Sequence, residues 1–227
     1  VYSQEPAAQM VAQVAHPKPG MKVLDLAAAP GGKTTHLLSY LDGQGLLVSN
    51  EIHKGRSKIL VENVERFGAR NVVVTNESAD RLAKVFPAYF DLIVLDAPCS
   101  GEGMFRKEDQ AVEQWSLENV QACALRQSYI LEEAYKCVKP GGTMVYSTCT
   151  FAIEENELCI QKFIQEHPDM HLVPIEVDFG RKAFDFGCHT DYARRIFPMD
   201  GGEGHFIVKL QKDGISTEST VKLMQSQ

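Results

Sequence analysis

Asp91-Leu92-Ile93-Val94-Leu95-Asp96-Ala97-Pro98-Cys99-Ser100-Gly101-Glu102-Gly103 is the stretch around which the chain is organised. Four apolar, strand-forming residues run straight into an acid, a proline-stiffened turn, a thiol and two glycines, which predicts a buried strand delivering reactive groups at its carboxyl end. In open α/β sheets ligands sit just beyond those ends, so Asp96 and Cys99 stand where chemistry is usually done. Thr143-Met144-Val145-Tyr146-Ser147, followed by Thr148 and Cys149, repeats the design. Either thiol alone reads as a small buried filler. Two thiols on matching strand ends read as a site.

Upstream, Val23-Leu24-Asp25-Leu26 predicts a first strand, and Ala27-Ala28-Ala29-Pro30-Gly31-Gly32-Lys33-Thr34-Thr35 turns from it into a helix ending near Tyr40. Small residues let the backbone approach a ligand, and a helix amino end favours anions or polar groups. Gly-Gly-Lys-Thr-Thr nearly completes a phosphate-binding loop, but Ala27 stands where its first glycine is required and Pro30 removes an amide. An ATPase is therefore disfavoured, and no G-x-G-x-x-G fingerprint is present. A nucleoside without a pyrophosphate suits such a loop. Leu46 to Glu51 predicts a second strand ending in a carboxylate, a common partner for ribose hydroxyls. A helix over 55–67 and a third strand over 71–75 follow.

Beyond the first thiol, Ser116 can cap a long amphipathic helix carrying Val120, Ala124, Gln127, Leu131, Ala134 and Val138. Lys139-Pro140-Gly141-Gly142 stops it before the strand at 143–147. A helix over 154–165 comes next, and 172–177 and 205–210 predict two closing strands around a loop rich in glycine and aromatics. Alternation of strands and helices gives an α/β fold with a doubly wound, mostly parallel sheet. In the common strand order of nucleoside-binding folds the fourth and fifth strands are neighbours, which would set Cys99 and Cys149 across one pocket.

The 227 residues suffice for one large domain over 20–212, with 1–19 the end of an amino-terminal extension and 213–227 a solvated tail or the start of a carboxyl-terminal region. Hydrophobic residues at 44% and charged ones at 23% are ordinary for a globular protein. No apolar run is long enough to span a membrane and the start lacks a signal-peptide layout, so a cytoplasmic protein is expected. Six cysteines without Cys-x-x-Cys spacing argue against zinc and, in a reducing compartment, for free thiols. Cys123, Cys137 and Cys159 are assigned to core packing. A net charge of −7 argues against a broad nucleic-acid surface. Basic pairs at Arg106-Lys107 and Arg194-Arg195 flank the two strand ends in sequence; by themselves they read as solvated surface, and they are the local candidates for contacts to a nucleic-acid backbone.

Asp-Leu-Ala-Ala-Ala-Pro-Gly-Gly-Lys-Thr from Asp25, Asp-Ala-Pro-Cys-Ser-Gly-Glu-Gly-Met-Phe-Arg-Lys from Asp96 and Tyr-Ser-Thr-Cys-Thr-Phe from Tyr146 resemble the Fmu/Sun family of RNA cytosine-5 methyltransferases. Ala27, where most members have Cys, and the Gly-Glu-Gly-Met-Phe-Arg-Lys run are similar to its bacterial small-subunit ribosomal RNA branch. The resemblance implies a Rossmann-like, S-adenosylmethionine-dependent methyltransferase fold acting on RNA, with 16S rRNA or the small ribosomal subunit as partner, no metal, and a monomer. It puts the cofactor loop on Ala27, Ala28, Ala29, Pro30, Gly31, Gly32 and Lys33, the ribose acid on Glu51 and the methionine-end acid on Asp96. It makes Cys149 the nucleophile and Cys99 the thiol that releases product. Where many members have an Asp near the adenine, Ser78 is in register here. A tRNA substrate for the same chemistry, and a non-catalytic ribosome-assembly factor that only holds the nucleoside, are the alternatives.

Overall fold

The computed structural model describes residues 6–101, 116–201 and 203–214. Helix α1 (Pro6–Ala15) precedes β1 (Lys22–Asp25), α2 (Gly32–Leu41), β2 (Leu46–Asn50), α3 (Lys54–Phe67), β3 (Val72–Thr75), α4 (Ala79–Val85) and β4 (Phe90–Asp96). Then come α5 (Leu117–Cys137), β5 (Val138–Thr148), α6 (Glu157–Glu166), β6 (Met170–Val173), β7 (Arg181–Lys182), β8 (Arg194–Ile196) and β9 (His205–Lys212). Among the described residues the sheet order is β3-β2-β1-β4-β5-β9-β8-β7, with β6 also on β9. β3, β2, β1, β4 and β5 are parallel neighbours, whereas β9 runs antiparallel to β5, β6 and β8. The outer edge of β9 is shared, Lys209 to Lys212 pairing with β6 and His205 to Ile207 with β8.

The central strands read as unbroken apolar runs because helices cover both faces of a parallel sheet. Leu92, Ile93, Val94 and Leu95 are all buried, as are Val23 and Leu24 beside them. One layer of the core joins Leu24, Ile93, Leu95 and Tyr146 to Leu131 and Ala134 of α5 and Ile160 and Phe163 of α6. The other joins Val23, Val94 and Val145 to Leu37, Leu38 and Leu41 of α2 and to Val11, Val14 and Ala15 of α1.

Ser116 caps α5 as its position predicts, its Oγ accepting from Asn119 N at 3.1 Å. Three sequence readings change. The helix expected from Glu154 begins at Glu157, because the side chains of Glu155 and Asn156 turn inward instead of extending a helix. The Lys139-to-Gly142 stop is built into the start of β5, with a register irregularity opposite Phe90 and Leu92. The aromatic-rich loop after β6 contains two strands, β7 and β8, too short to announce themselves by alternation.

Candidate active site

Ladder pairing of β4 with β5 sets Asp96 opposite Ser147, so the segments that follow leave the sheet side by side. Cys99 Sγ and Cys149 Sγ meet at 3.0 Å, and the Cys149 amide donates to Cys99 Sγ at 3.3 Å. Both thiols are partly exposed. The hydrogen bond with Cys149 comes first among the influences that hold the Cys99 thiol well above its ordinary range, followed by burial and by the charges of Cys149 and Glu155. Cys99 therefore keeps its proton at neutral pH.

Beside the thiols, Asp96 Oδ1 accepts from Ser147 Oγ at 2.8 Å and Oδ2 lies 3.4 Å from Lys33 Nζ, with 41% of the Asp96 side chain exposed. Lys33 also donates to the Ala27 carbonyl at 3.1 Å. Burial opposes the lysine's charge, yet Asp25 and Asp96 hold its pKa above the ordinary value. A phosphate-binding lysine projects toward its ligand; this one is buried, with its ammonium on the Asp96 carboxylate and the Ala27 carbonyl.

The loop from Ala27 to Gly31 is braced from α3, where Arg56 Nη2 donates to the Ala29 carbonyl at 3.1 Å and Asn63 Nδ2 to the Pro30 carbonyl at 2.7 Å. Gly31 sits at φ 122°, and a Cβ there would lie 3.3 Å from Asn63 Cβ and Leu60 Cδ1. Asp25 accepts from Thr34 Oγ1 at 2.9 Å through one oxygen, while its buried Oδ1 has no partner. Burial raises the Asp25 carboxyl above its ordinary value, with Lys33 pulling the other way. Glu51 is buried at the end of β2; its Oε1 accepts from His53 N at 3.0 Å and its Oε2 lies 3.9 Å from Arg56. Asn50 ties this edge together, donating to the carbonyls of Leu26 (3.3 Å) and Glu77 (3.0 Å) and accepting from Thr75 Oγ1 (2.8 Å) and Glu77 N (3.0 Å). Ser78 stands at the amino end of α4, where its hydroxyl makes no capping hydrogen bond.

A profile of the family described as "16S rRNA methyltransferase RsmB/F" matches residues 12–211. The chain belongs to that family. Within it, "Ribosomal RNA small subunit methyltransferase F" of Vibrio cholerae is 47% identical over 197 residues, and that of Aeromonas salmonicida 38% over 191. Each alignment covers 84% of this chain and 40% of the relative, so the chain spans about 40% of the length of these curated relatives. Among solved structures, a methyltransferase homolog protein from Pyrococcus horikoshii superposes with a TM-score of 0.82 at 32% identity, covering 93% of this chain and 68% of that one. NSun6 from Pyrococcus horikoshii, solved with SFG, gives 0.81 at 32% identity over 94% of this chain and 53% of that one. The RsmB/F chain thus has the Rossmann-like methyltransferase fold its motifs implied.

Other sequence expectations for the RsmB/F site fare differently. Arg195 does not line an RNA path. It is buried, donating to Glu157 from Nε (2.6 Å) and Nη2 (2.5 Å), and to the Phe151 carbonyl from Nη1 (3.0 Å). Arg194 is likewise turned inward, its Nη2 on the Ile175 carbonyl at 3.1 Å and its Nε buried. Both sit on β8, and a strand in the sheet commits their stems to packing. Arg106 and Lys107 lie outside the described residues. Sequence reading missed Ser100, Gln127, Glu155 and Thr150, which link the thiol segments; the run Glu154-Glu155-Asn156-Glu157 directly after a buried strand was the available signal.

Proposed function

We propose that this chain is the catalytic core of an RNA cytosine-5 methyltransferase, using S-adenosylmethionine and acting on small-subunit ribosomal RNA. The observation that carries it is the contact of Cys99 and Cys149 at 3.0 Å, on adjacent parallel strand ends next to Asp96 and the small-residue loop. The family profile and the names of the relatives favour ribosomal RNA as substrate.

The residues present fit the cofactor. Glu51 Oε2, with Arg56 3.9 Å away, would take a ribose hydroxyl, while the buried Asp25 Oδ1 has no partner and the braced loop at Gly31 has no room for a side chain. Ile52, 61% exposed beside Glu51, offers an apolar face to adenine, with Ser78 as candidate polar neighbour. Asp96 orients the amino-acid end. S-adenosylmethionine, when bound, supplies an electrophilic methyl group. Cys149 as thiolate adds to carbon 6 of cytosine, forming the S–C6 bond and leaving carbon 5 electron-rich enough to take that methyl.

Release then requires loss of the proton on carbon 5, so that its electron pair restores the C5–C6 double bond and expels Cys149. Cys99 is the base. Its proton is retained at rest chiefly by Cys149, and a Cys149 sulfur bonded to carbon carries no charge and accepts weakly. Adduct formation therefore favours loss of the Cys99 proton to solvent, and the thiolate so formed takes the carbon 5 proton.

Single-variant trapping tests this order. Cys149→Ala should abolish 5-methylcytosine formation while retaining calorimetric heat for S-adenosylmethionine, heat that Glu51→Ala should lose. Cys99→Ala should accumulate a protein–RNA adduct, seen as a retarded band on a denaturing gel and absent in the double variant. An adduct in Cys149→Ala instead would reverse the two roles, and none in either would remove the covalent route.

A further inference from the structure

Two rungs cross between the thiol segments. One is the sulfur contact; the other is Ser100 Oγ to Thr150 Oγ1 at 2.9 Å, one residue further along each segment. Behind both lies Glu155, with no solvent exposure. Its Oε1 accepts from Ser100 N (3.0 Å) and from Gln127 Nε2 (2.9 Å), and its Oε2 from Ser100 Oγ at 2.5 Å. Gln127 reaches from α5 and also donates to the Pro98 carbonyl at 2.9 Å, one residue before Cys99. The Glu155 carbonyl accepts from Tyr146 OH at 2.7 Å, which anchors it to β5.

Proton counting fixes the direction of the network. A carboxylate can only accept, so the Ser100 hydroxyl proton points to Glu155 and the Thr150 hydroxyl must donate to Ser100. Each loop carrying a cysteine is thereby held by the same buried charge. Burying a carboxylate whose described donors are all neutral is costly, and apolar packing would close the same space without that cost.

We propose that Glu155 is the positioning residue of the thiol pair, its carboxylate locking the Cys99 segment against the Cys149 segment through Ser100, Thr150 and Gln127. This rests on reading the two cysteines as a working pair. Glu155 touches neither sulfur nor any surface a substrate could reach, so it acts through them. Its negative charge also counts among the influences that keep Cys99 protonated.

The test is alkylation of the full chain by iodoacetamide across pH, without RNA, followed peptide by peptide. Glu155→Gln keeps the volume but removes the charge and an acceptor. Cys99 should then alkylate at lower pH, and a thiol pKa lower by one gives about tenfold more thiolate at any fixed pH well below it. Glu157→Gln, which breaks the neighbouring buried carboxylate's tie to Arg195, should lower stability without moving the Cys99 profile. Ser100→Ala removes the Thr150 rung and the hydroxyl's bond to Glu155 while keeping the Ser100 amide's, and should move the profile in the same sense; it decides the matter if Glu155→Gln does not fold. Unchanged Cys99 and Cys149 profiles in a folded Glu155→Gln, or in Ser100→Ala, would overturn the proposal, as would Glu157→Gln moving them equally. A Glu155-dependent profile in a protein that leaves ribosomal RNA unmethylated would sink the enzymatic reading and spare the positioning role.

Discussion

Arg195 shows how much one residue's surroundings decide its role. Adjacent basic residues suggest a phosphate path, yet the guanidinium lies against the Glu157 carboxylate and within 4.9 Å of the Phe184 ring centroid. Removing one member of a buried ion pair strands the other, so Arg195→Ala should cost about 3–5 kcal/mol in urea unfolding. Arg181→Ala breaks an exposed bridge to Asp200 at 2.9 Å and should cost roughly 0–1 kcal/mol. Nothing in the dipeptide Arg194-Arg195 distinguishes these fates. Burial of an arginine depends on a carboxylate 38 positions away. The thiols are the opposite case: each follows a short apolar run within two to four residues, so their placement at strand ends was legible from local pattern, and only their 3.0 Å contact needed the structure.

The parallel elements were legible because each strand carries an uninterrupted apolar run and each helix a periodic face. β7 and β8 were not, being two and three residues long and held mainly by pairing with neighbours. The loop between β1 and α2 combines both situations. Its small residues announced close backbone approach, while the bracing from Arg56 and Asn63 of α3 could not be inferred from the loop itself. Gly31 is where the two meet. At φ 122° an alanine is strained, and its Cβ would press on Leu60 and Asn63 at 3.3 Å. Gly31→Ala should lower stability by roughly 1–3 kcal/mol and weaken S-adenosylmethionine binding, measured by urea titration and calorimetry, whereas Gly55→Ala, with open space around its Cβ site, should leave both near the parent values.

Across the whole molecule the sheet divides the labour: its parallel half presents Asp25, Glu51, Asp96 and the cysteines at strand ends, and its antiparallel half stiffens β5 through β9. The six thiols divide as well. Burial above all pushes Cys123, Cys137 and Cys159 up to about 11, which leaves them inert, and Cys188 is exposed. Cys99 and Cys149 alone among the described cysteines stand in mutual contact. Two sulfurs that close are two electrons from a disulfide: hydrogen peroxide can take those electrons and both thiol protons, leaving as two waters. The bond would occupy Cys149, the proposed nucleophile, and Cys99 together. Brief peroxide treatment should therefore stop RNA methylation, leave S-adenosylmethionine binding in place, lower the mass of one cross-linked peptide pair by two hydrogens, and reverse with dithiothreitol. The 3.0 Å closeness that would serve the proposed transfer is also what exposes this pair to an oxidant.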